Sequence, residues 1–508
     1  MENYSLAVIG SGSGNIVIDA AIKKGLKCAL IEKGKFGGTC LNHGCIPTKV
    51  LTTVADDIRK LQRMSEIGIQ VGNYKVDFEK IRSRVLGKIA ENEGVKQHYD
   101  EQENVDVYQA EAKFVSDNEI ALHFEDGSVK NITADKIVIA TGAKTRVPDV
   151  EGLEEVGYLT SESFFADKFP DKLYDSLIIV GGGYIGMEFA HIFSSLGTKV
   201  TVLQRGSKVM PRSDEDISKA AYMAFSALGI EILTNCDFFK VEKSNGKKVA
   251  HYKDKISGDI LKVVADEILV STGIMSAAEE FGIKNTSVKS DDRGYIMTNE
   301  LLQTTARNIY AIGDANGVFQ FKHKANYEAE TIAHNMFEVE NGNYRFVSYD
   351  AVPNATFTYP QIASVGMTEK EAIQNGYKIK TAKNHYSQTA KGYALGYKAN
   401  TVFDGFAKII VDDATKKILG VHIMGDEAAL LLQPYVELMN AGVKHIRAIN
   451  DDITSPLADK LRASNHTIEY EPGTLQSTDN IMVSHPSLAE VSMWTRYMDF
   501  KDSEEKIK

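Results

Sequence analysis

Two cysteines stand close together in the segment GGTCLNHGCIPTK, in which four residues separate Cys40 from Cys45. A pair at this spacing can form a reversible disulfide or contribute ligands to a metal ion. A zinc site needs about four Cys or His ligands, and only His43 stands near the pair, so we predict a redox pair and no metal site. If the residues after Gly44 are helical, Cys45 begins the helix, where a thiolate is stabilised and the pKa of the thiol is lowered.

A glycine-rich turn precedes the cysteine pair and predicts a nucleotide site. Gly10, Gly12 and Gly14 follow the apolar strand LAVI and open a helix. Glycines let the backbone approach a pyrophosphate, and the free N–H groups of a helix N-terminus favour its negative charge. Glu32 ends the next strand, where an acid can bind ribose hydroxyls. Asn15 replaces the usual third glycine or alanine, yet the strand, helix and acid together predict a dinucleotide-binding βαβ unit.

A second unit with the same order of elements lies farther along the chain. Gly181, Gly183 and Gly186 form a full GxGxxG after the strand SLIIV, so the chain is predicted to bind two dinucleotides. The second strand of this unit leads to Gln204, not to an acid, and Arg205 follows. A neutral residue does not repel a 2′-phosphate, and an arginine can bind one. We therefore favour NADPH; NADH is the alternative if the cations of this loop are only solvated.

Length and composition fit a globular protein of several domains. The chain has 508 residues, of which 43% are hydrophobic and 25% charged, and roughly two to four domains are expected. The formal net charge of −11 disfavours nucleic acid and anionic membranes as partners, because both bind clustered Lys or Arg. Four cysteines and no signal peptide lead us to expect a reducing cytoplasm. No apolar run reaches the ~18 residues of a membrane span, and the charged last eight residues, KDSEEKIK, are expected to fray.

The composition changes from about residue 346 onward. Short alternating strands, AKIIVDD and KILGVHIMG, precede the helix ALLLQPYVELMNAG, which predicts a separate α+β domain. Residues 451–482 are polar and irregular, and we expect them to form a long surface loop.

Four segments together resemble the class I pyridine nucleotide-disulfide oxidoreductases, the family of glutathione reductase and dihydrolipoamide dehydrogenase. The cysteine segment is similar to their active-site signature, VIATG to their flavin-domain crossover, TARNIYAIGD to their second FAD motif and SHPSLAE to their C-terminal base motif. Within the family, mycothione reductase looks most similar, because it shares the first turn GSGN, the sequence HIMG and a QP-containing helix. The resemblance covers nearly the whole chain. It implies an α/β fold with two Rossmann-like dinucleotide-binding domains, for FAD and NAD(P), and a C-terminal α+β dimerisation domain.

The resemblance also implies domain limits. Residues 1–150 would form the first part of the FAD-binding domain, and residues 276–345 its second, central part. Residues 151–275 would form the NAD(P)H-binding domain between them. Residues 346–508 would form the dimerisation domain, in which the inserted loop at about 451–482 could reshape the substrate pocket.

The same resemblance implies roles for the cysteines and for a histidine near the C-terminus. Cys45 would be the thiol beside the flavin, and Cys40 the interchange thiol that attacks the substrate disulfide. His485 would exchange a proton with the interchange thiol, while Glu490 would orient the ring and raise its basicity. In relatives this histidine comes from the partner subunit, so a homodimer with shared active sites is expected.

Further residues would contact the cofactors. Lys49 would lie near the flavin N5 and pair with Glu188, and Tyr184 would cover the nicotinamide pocket. Asp314 would bind the ribityl chain, and the N-terminus of the helix headed by His323 would stabilise negative charge on reduced flavin. The other cofactor-binding candidates are Thr141, Gly142, Gly273 and Gly313.

These residues predict a flavoprotein disulfide reductase that passes electrons from NADPH through FAD and the Cys40–Cys45 disulfide to a low-molecular-weight disulfide, mycothione or a related compound. The alternative is an NAD-linked dihydrolipoamide dehydrogenase of a 2-oxo acid dehydrogenase complex, which normally has an acid where Gln204 stands. A redox-sensing FAD protein without turnover is a third interpretation, which the intact set of catalytic residues disfavours. A mercuric reductase is disfavoured because no cysteine pair stands near the C-terminus.

Overall fold

The structure is a computed structural model that describes residues 1–479 and 481–498. Two sheets with parallel cores are followed by an antiparallel sheet with helices, so the predicted fold class is confirmed. Within the described ranges, no helix is both long and apolar enough to cross a lipid bilayer. The prediction for the last eight residues lies outside the described part of the chain.

The first 150 residues form most of the first sheet and the helices beside it. The strands are β1 (Glu2–Ile9), β2 (Cys28–Glu32), β3 (Val105–Gln109), β4 (Glu111–Phe114), β5 (Glu119–His123), β6 (Val129–Ile139) and β7 (Ala143–Thr145). The helices are α1 (Gly14–Lys23), α2 (Gly38–Asn42), α3 (Cys45–Arg63), α4 (Phe78–Ile89) and α5 (Asn92–Asp100).

The middle of the chain forms the second sheet and then returns to the first. The strands are β8 (Ser176–Val180), β9 (Lys199–Leu203), β10 (Glu231–Leu233), β11 (Cys236–Ser244), β12 (Lys247–Asp254), β13 (Ile260–Ala265), β14 (Glu267–Val270), β15 (Ile274–Ser276) and β16 (Ile309–Ala311). The helices are α6 (Leu153–Val156), α7 (Ser161–Ala166), α8 (Tyr184–Ser195), α9 (Glu215–Ala227) and α10 (Lys322–Phe337).

The last third of the described chain forms the antiparallel sheet and the segment that leads away from it. The strands are β17 (Pro353–Thr356), β18 (Ile362–Gly366), β19 (Ile379–His385), β20 (Phe406–Asp412), β21 (Ile418–Met424), β22 (Gly442–His445) and β23 (Thr467–Tyr470). The helices are α11 (Glu369–Gln374), α12 (Ala390–Ala394), α13 (Ala428–Asn440), α14 (Pro456–Ala463) and α15 (Ala489–Met493).

The first sheet has the strand order β3-β2-β1-β6-β5-β4, and β16 pairs with the last three residues of β6, beyond the part that pairs with β5. Strand β1 is central and runs parallel to β2 and β6, with Ile9 opposite Ile31 and Ile139. All three residues are buried, as expected for a parallel sheet covered on both faces. The carboxyl ends of parallel strands share one edge of the sheet, so the turn after β1, Glu32 and Gly313 are brought to the same side.

The second sheet has the parallel order β10-β9-β8-β14. The antiparallel strands β11, β12 and β13 form a separate small sheet beside it, and β7 pairs with β15 where the chain passes between the two larger sheets. The glycine turn after β8 therefore has the same position in its sheet as the turn after β1 has in the first. The predicted domain limits were not tested and stay predictions.

A buried lysine joins the second nucleotide-binding unit to the C-terminal sheet, whose strand order is β17-β18-β21-β20-β19. Lys408 on β20 is fully buried, and its Nζ lies 2.6 Å from Asp214, 2.7 Å from Asp216 and 3.1 Å from Glu369. Asp214 also caps α9 by accepting a hydrogen bond from the N–H of Asp216. A buried cation is stable only when it is paired in this way.

The described residues between 451 and 482 include a helix and a strand, so the prediction of one long irregular loop for this segment is wrong. Helix α14 begins at Pro456 after the N-cap Ser455, whose hydroxyl accepts from the N–H of Ala458. One face of α14 is apolar and packs on the body of the protein through Ala458 and Leu461. Strand β23 then pairs with β22. The polar residues that suggested a loop lie on the exposed sides of these short elements.

Candidate active site

The cysteine pair lies on two successive helices, α2 and α3, beside the first glycine turn. Cys40 is in α2 and is only 8% exposed, whereas Cys45 is the first residue of α3, so the predicted helix start is found. Both are thiols in this structure. Gly38 has a φ of +66°, and a Cβ there would lie 2.6 Å from the Cα of Gly12. Only glycine therefore lets the cysteine segment pack this closely on the nucleotide turn.

His485 lies against the cysteine pair. Its Nε2 is 3.0 Å from the Sγ of Cys40, and its Nδ1 is 2.5 Å from the Oε1 of Glu490. The indole of Trp494 stacks on the imidazole with ring centroids 6.3 Å apart and an angle of 19° between the planes. This order of thiol, imidazole and carboxylate is suited to proton exchange at Cys40, because the carboxylate fixes the ring and stabilises its charged form.

The pKa values of the two thiols are shifted in opposite directions. The pKa of Cys40 is lowered, mainly because Cys45 donates a hydrogen bond to it, and the backbone N–H of Ile46 adds a further hydrogen bond. The pKa of Cys45 is raised by its hydrogen bond to Cys40 and by burial. The sequence predicted a lowered pKa for Cys45 because it begins α3. In the structure the backbone N–H of Ile46, at the N-terminus of α3, hydrogen-bonds to Cys40 instead, and the pKa of Cys40 is the one that is lowered.

The imidazole is held in its charged form over a wide pH range. Burial lowers the pKa of His485, but the interactions of the ring with the nearby Cys45 thiol and with Glu490 outweigh it and raise the pKa to about 9. Lys322, the first residue of α10, adds positive charge that lowers the pKa of Cys40. Sequence reasoning named His323 but missed Lys322, although it directly precedes that histidine. It also missed Trp494, for which the sequence alone gave no signal.

Lys49 lies one helical turn beyond Cys45. Its Nζ is 3.3 Å from the centroid of the Phe357 ring, and burial lowers its pKa to about 8. Glu188 accepts a hydrogen bond of 2.8 Å from the N–H of Phe357, and burial raises the pKa of this carboxyl to about 7. The predicted Lys49–Glu188 ion pair is not formed within 4.0 Å in the part of the chain that the structure describes. Both residues nevertheless contact Phe357, so they share one site.

The first glycine turn has the features that FAD would need. Gly10 has a φ of +106°, and a Cβ there would lie 2.4 Å from the carbonyl oxygen of Ala140. Glu32 accepts hydrogen bonds from the N–H and hydroxyl of Ser11, at 2.9 and 2.7 Å, and from the N–H of Gly34 at 2.9 Å. The carboxylate is thus fixed at the edge of the sheet, where it can accept from ribose hydroxyls. Gly12 and Gly14 complete the turn that opens α1.

The second part of this cradle comes from the residues after β16. The carboxylate of Asp314 accepts no hydrogen bond from the described residues, and burial raises its pKa to about 6. Gly313 donates its N–H to Glu328 at 2.7 Å, and the buried Lys324 pairs with Glu328 at 2.9 Å. This network fixes the backbone beside Asp314, whose carboxylate is left to accept from ligand hydroxyls. These residues and the first glycine turn fit a flavin dinucleotide.

His323 is placed at the start of α10, as the sequence predicted for its helix. Its Nε2 donates to the carbonyl of Pro353 at 2.8 Å, and burial lowers its pKa to about 4. The ring is therefore neutral, and the N-terminus of α10 remains the source of positive potential. Thr141 and Gly142 directly follow β6 at the same edge of the sheet, and Gly273 lies just before β15.

The second glycine turn repeats the geometry of the first, but the neutral Gln204 takes the place that Glu32 has in the first turn. The Oε1 of Gln204 accepts from the N–H of Gly182 at 2.9 Å. Gly181 has a φ of +112°, and a Cβ on Gly186 would lie 2.0 Å from the carbonyl oxygen of Gly181. A Cβ on Gly183, in contrast, would meet nothing within 4 Å. The turn is therefore closely packed towards the protein and open on the side where a pyrophosphate would lie.

The cations near Gln204 differ in how they are held. Arg205 and Arg212 are exposed, whereas Lys208 pairs with Glu215 at 2.8 Å. Tyr184 begins α8 and is half-buried, and burial raises its pKa. The two arginines are thus the cations most accessible to a phosphate at this turn.

Three side chains of the site could also hold a metal ion. The Sγ atoms of Cys40 and Cys45 and a ring nitrogen of His485 all lie within 4.8 Å of one another. Thiolate and imidazole ligands suit soft metal ions. The sequence did not indicate this group, because His485 is far from the cysteines along the chain. The expectation of no resident metal was not tested and stays a prediction.

Two family profiles match most of the chain. The profile described as pyridine nucleotide-disulphide oxidoreductase matches residues 4–329, and the dimerisation domain of the same family matches residues 352–463. The first stretch contains the cysteine pair and the two glycine turns. The second contains the antiparallel sheet.

Characterised relatives with different substrates are similar to nearly the same extent. Mycothione reductase from Mycobacterium tuberculosis is 33% identical over 87% of this chain and 94% of its own length. Dihydrolipoyl dehydrogenase from Rhizobium etli is 34% identical over 86% of this chain and 92% of its own length. Mercuric reductase from Staphylococcus aureus is 33% identical over 84% of this chain and 75% of its own length. Identity alone therefore does not select a substrate.

A solved structure has the same overall fold. It is the Cu(II) complex of the HOCl-induced flavoprotein disulfide reductase RclA from Escherichia coli, with a TM-score of 0.74 and 25% sequence identity. The match covers 91% of this chain and 99% of that structure.

Proposed function

Since this chain belongs to the pyridine nucleotide-disulphide oxidoreductase family, whose members use FAD and NAD(P)H, we propose that it reduces a low-molecular-weight disulfide with NADPH. The observation that carries the proposal is the contact between Cys40 and His485, 3.0 Å apart, with Glu490 behind the ring. A thiol kept reactive beside a protonated base is what thiol–disulfide exchange requires. The chain carries the dimerisation domain of its family, and we propose that it acts as a homodimer.

The first chemical step uses Cys40 as the nucleophile. Its thiolate attacks one sulfur of the substrate, a bond forms between Cys40 and that sulfur, and the substrate S–S bond breaks. The leaving thiolate takes a proton from the imidazolium of His485. The lowered pKa of Cys40 and the raised pKa of His485 favour the thiolate and the proton donor at the same pH.

The second step releases the other half of the substrate. Cys45 loses its proton and attacks Cys40, so that the Cys40–Cys45 disulfide forms and the second substrate thiolate leaves and is protonated. The substrate has gained two electrons and the cysteine pair has lost two. Bound FAD supplies the two-electron relay between the nicotinamide and the cysteine pair. Glu32, Asp314 and the turn that begins at Gly10 are the residues that would hold it.

Two features support NADPH as the electron donor. Gln204 occupies the position of the ribose-binding acid without its negative charge, and Arg205 is exposed beside it. The preference for a small disulfide follows from the resemblance to mycothione reductases, and the relative of that name covers most of the chain. The substrate would be mycothione or a related low-molecular-weight disulfide.

A direct test measures the consumption of NADPH and NADH by the holoenzyme with a panel of small disulfides. We expect turnover with NADPH and at least one disulfide of the panel, with loss of turnover in Cys40→Ser. Cys236→Ser is the matched control, because Cys236 is also buried but lies on β11, outside the site. Equal loss in both variants would show that the substitution acts through folding.

The same assay separates the proposal from its main alternative. A dihydrolipoamide dehydrogenase would oxidise dihydrolipoamide with NAD⁺ and would be slow with NADPH. Rapid reduction of the enzyme by NADH alone would overturn the nucleotide assignment. Bound FAD without turnover of any disulfide would instead favour a redox-sensing protein.

A further inference from the structure

We propose that the ammonium group of Lys322 stabilises the thiolate of the reduced Cys40–Cys45 pair, as a second cation besides the imidazolium of His485. This inference rests on the function proposed above and adds a positioning residue to it. The structure leaves Lys322 without a carboxylate partner, and it brings this lysine to the glycine turn on which the cysteine helix α2 packs.

Lys322 is a cation in an unfavourable place. It is the first residue of α10 and is half-buried, and no Asp or Glu stands in the first turn of this helix. Among residues 1–479 and 481–498, no carboxylate oxygen lies within the ion-pair distance of 4.0 Å from its Nζ. The positive end of the helix dipole and the loss of water both disfavour a cation there. A nearby anion of another kind would offset both effects.

Lys324, on the same turn of α10, shows how the fold treats a lysine whose charge is only structural. It is fully buried, and its Nζ lies 2.9 Å from the carboxylate of Glu328. It also donates to the carbonyl of Gly313 at 3.0 Å and to the side chain of Asn316 at 2.6 Å. Lys322 has no such carboxylate within reach, so its charge is left to act on a negative charge that develops during a reaction.

A hydrogen bond fixes the ammonium at the first glycine turn. The Nζ of Lys322 donates to the Oγ of Ser13 at 3.1 Å. Ser13 directly follows Gly12, and α2 packs on Gly12 so closely that a Cβ on Gly38 would lie 2.6 Å from its Cα. Gly38 is the first residue of α2 and Cys40 is the third. The lysine and the cysteine helix therefore meet at one turn.

The charges of Lys322 and of the two sulfurs act on each other. The positive charge of Lys322 lowers the pKa of Cys40. Burial lowers the pKa of Lys322 itself, and the negative charges of Cys40 and Cys45 raise it. The sulfurs therefore supply the negative charge that the fold does not place beside this lysine as a carboxylate.

This cation changes the redox balance of the cysteine pair. Reduction of the Cys40–Cys45 disulfide breaks the S–S bond and takes up two electrons, and one proton completes the product when it is a thiol and a thiolate. A cation beside the sulfurs stabilises that charged product more than the neutral disulfide. Lys322 therefore makes the disulfide easier to reduce. It acts from the side of the first glycine turn, whereas His485 acts from the C-terminal segment.

Lys322→Gln tests the charge and preserves the hydrogen bond, because an amide nitrogen can still donate to Ser13. We expect the pH midpoint for alkylation of Cys40 in the reduced holoenzyme to rise by about one unit or more, the size typical of the loss of a neighbouring opposite charge. Limited treatment with iodoacetamide over a series of pH values, followed by peptide mass spectrometry, gives this midpoint. A midpoint equal to that of the wild type would overturn the proposal.

Three further variants separate charge from shape and from folding. Lys322→Arg keeps the cation, and its midpoint should stay near that of the wild type. Lys35→Gln removes an exposed cation from the loop before α2 and should not move the midpoint. A shift in either variant as large as that in Lys322→Gln would contradict the proposal. If Lys322→Gln did not fold, as judged by circular dichroism and flavin absorbance, Ser13→Ala would decide. It frees the ammonium from its anchor, so the midpoint should rise by a smaller amount, and an unchanged midpoint would overturn the proposal.

A second measurement follows the redox balance and needs no turnover. The holoenzyme is equilibrated anaerobically in glutathione buffers of known thiol-to-disulfide ratio, quenched with acid and alkylated, and mass spectrometry gives the fraction of oxidised pairs. In Lys322→Gln the ratio of disulfide to reduced pair should be up to about tenfold higher than in the wild type at the same buffer ratio, as a one-unit rise in the pKa of the thiol implies. Equal ratios would count against a role of the lysine in the redox balance.

The two measurements also distinguish this proposal from the proposed function. A wild-type protein with no disulfide reductase activity would refute the function, yet the alkylation midpoint and the redox ratio would still report the effect of Lys322. An active wild-type protein whose midpoint and ratio are the same in Lys322→Gln would refute only the role of this lysine.

Discussion

The side-chain carbonyl of Gln204 accepts a hydrogen bond from the backbone N–H of Gly182 at 2.9 Å. In the first unit Glu32 makes the same contact with the N–H of Ser11, also at 2.9 Å. The two turns are therefore fixed in the same way, by an acid in one and an amide in the other. Accepting this hydrogen bond does not require a negative charge, so Glu and Gln fix the turn equally well. The difference in charge between them therefore affects only which ligand binds.

Arg205→Glu should weaken the binding of NADPH. The loss of a charge-assisted hydrogen bond to the 2′-phosphate costs about 1.5–3 kcal/mol, which corresponds to roughly a 10- to 100-fold rise in KM for NADPH. Steady-state kinetics at constant ionic strength measure this value. Lys208→Gln is the control, because that lysine is paired with Glu215, and its KM should change little. An unchanged KM in Arg205→Glu would contradict the site assignment.

Gln204→Glu should shift the preference towards NADH. The carboxylate can keep the hydrogen bond from Gly182, while its charge repels a 2′-phosphate and accepts from a 2′-hydroxyl. We expect the ratio of kcat/KM for NADPH over NADH to fall by roughly tenfold or more, as one lost charge-assisted contact implies. Gln204→Ala removes the hydrogen bond without adding charge. If both variants lowered the ratio equally, the repulsion argument would fail.

Activity should decline as the pH rises through about 9, the pKa of His485. The imidazolium protonates the leaving thiolate, and above its pKa this proton is gone. Glu490→Gln removes one interaction that raises the pKa, so the descending limb should move to lower pH, towards the ordinary histidine value of about 6.5. The pH dependence of kcat measures the shift, and circular dichroism checks that the fold is retained. If the decline of kcat occurred at the same pH in both proteins, His485 would not be the group whose titration causes it.

Alkylation of the reduced protein should be faster at Cys40 than at Cys45. The thiolate is the reactive form, and the pKa of Cys40 is lowered while that of Cys45 is raised. Peptide mass spectrometry after limited treatment with iodoacetamide at several pH values gives both rates. In His485→Gln the pH midpoint for Cys40 should rise, because a cation beside the sulfur is lost. Preferential labelling of Cys45 would reverse the assignment of the thiolate.

Lys408→Met should destabilise the protein strongly. It leaves the buried carboxylate of Asp214 without its partner at 2.6 Å, a change that typically costs about 3–5 kcal/mol. Lys380→Met is the control, since its ion pair with Asp413 is 67% exposed on the lysine side and is worth about 0–1 kcal/mol. Thermal unfolding followed by circular dichroism should show a clearly lower Tm for Lys408→Met alone. Equal midpoints would mean that the buried pair contributes little.

The sequence was sufficient for features that depend on local spacing. Gly10 and Gly181 indicate turns that only glycine can make. The apolar segments before them are long enough to predict buried strands. The position of Cys45 at the start of α3 follows from the residues around it. The family and its cofactors, which the comparisons confirm, rest on the same local signals.

Features that depend on tertiary contacts could not be predicted. From the sequence, Lys408 would be predicted to lie on the exposed face of a strand. Only the fold places Asp214 and Glu369 beside it. The pKa order of Cys40 and Cys45 depends first on the direction of the hydrogen bond between the two thiols, and then on the charge of Lys322, which is distant in sequence. The path of residues 451–482 was not predicted because the segment is mostly polar, and the apolar residues that attach it to a core, among them Ala458 and Leu461, are few and scattered along it.

The stacking of Trp494 on His485 also gives the molecule an optical probe of its own. The chain contains a single tryptophan, and its ring centroid is 6.3 Å from that of the His485 imidazole. Under excitation selective for tryptophan, the emission of the protein therefore arises beside His485, and an imidazolium quenches indole emission more strongly than a neutral ring does. The emission intensity of the unlabelled protein would follow the protonation of His485. Energy transfer from Trp494 to bound flavin would show whether the segment that carries both rings lies beside the cofactor.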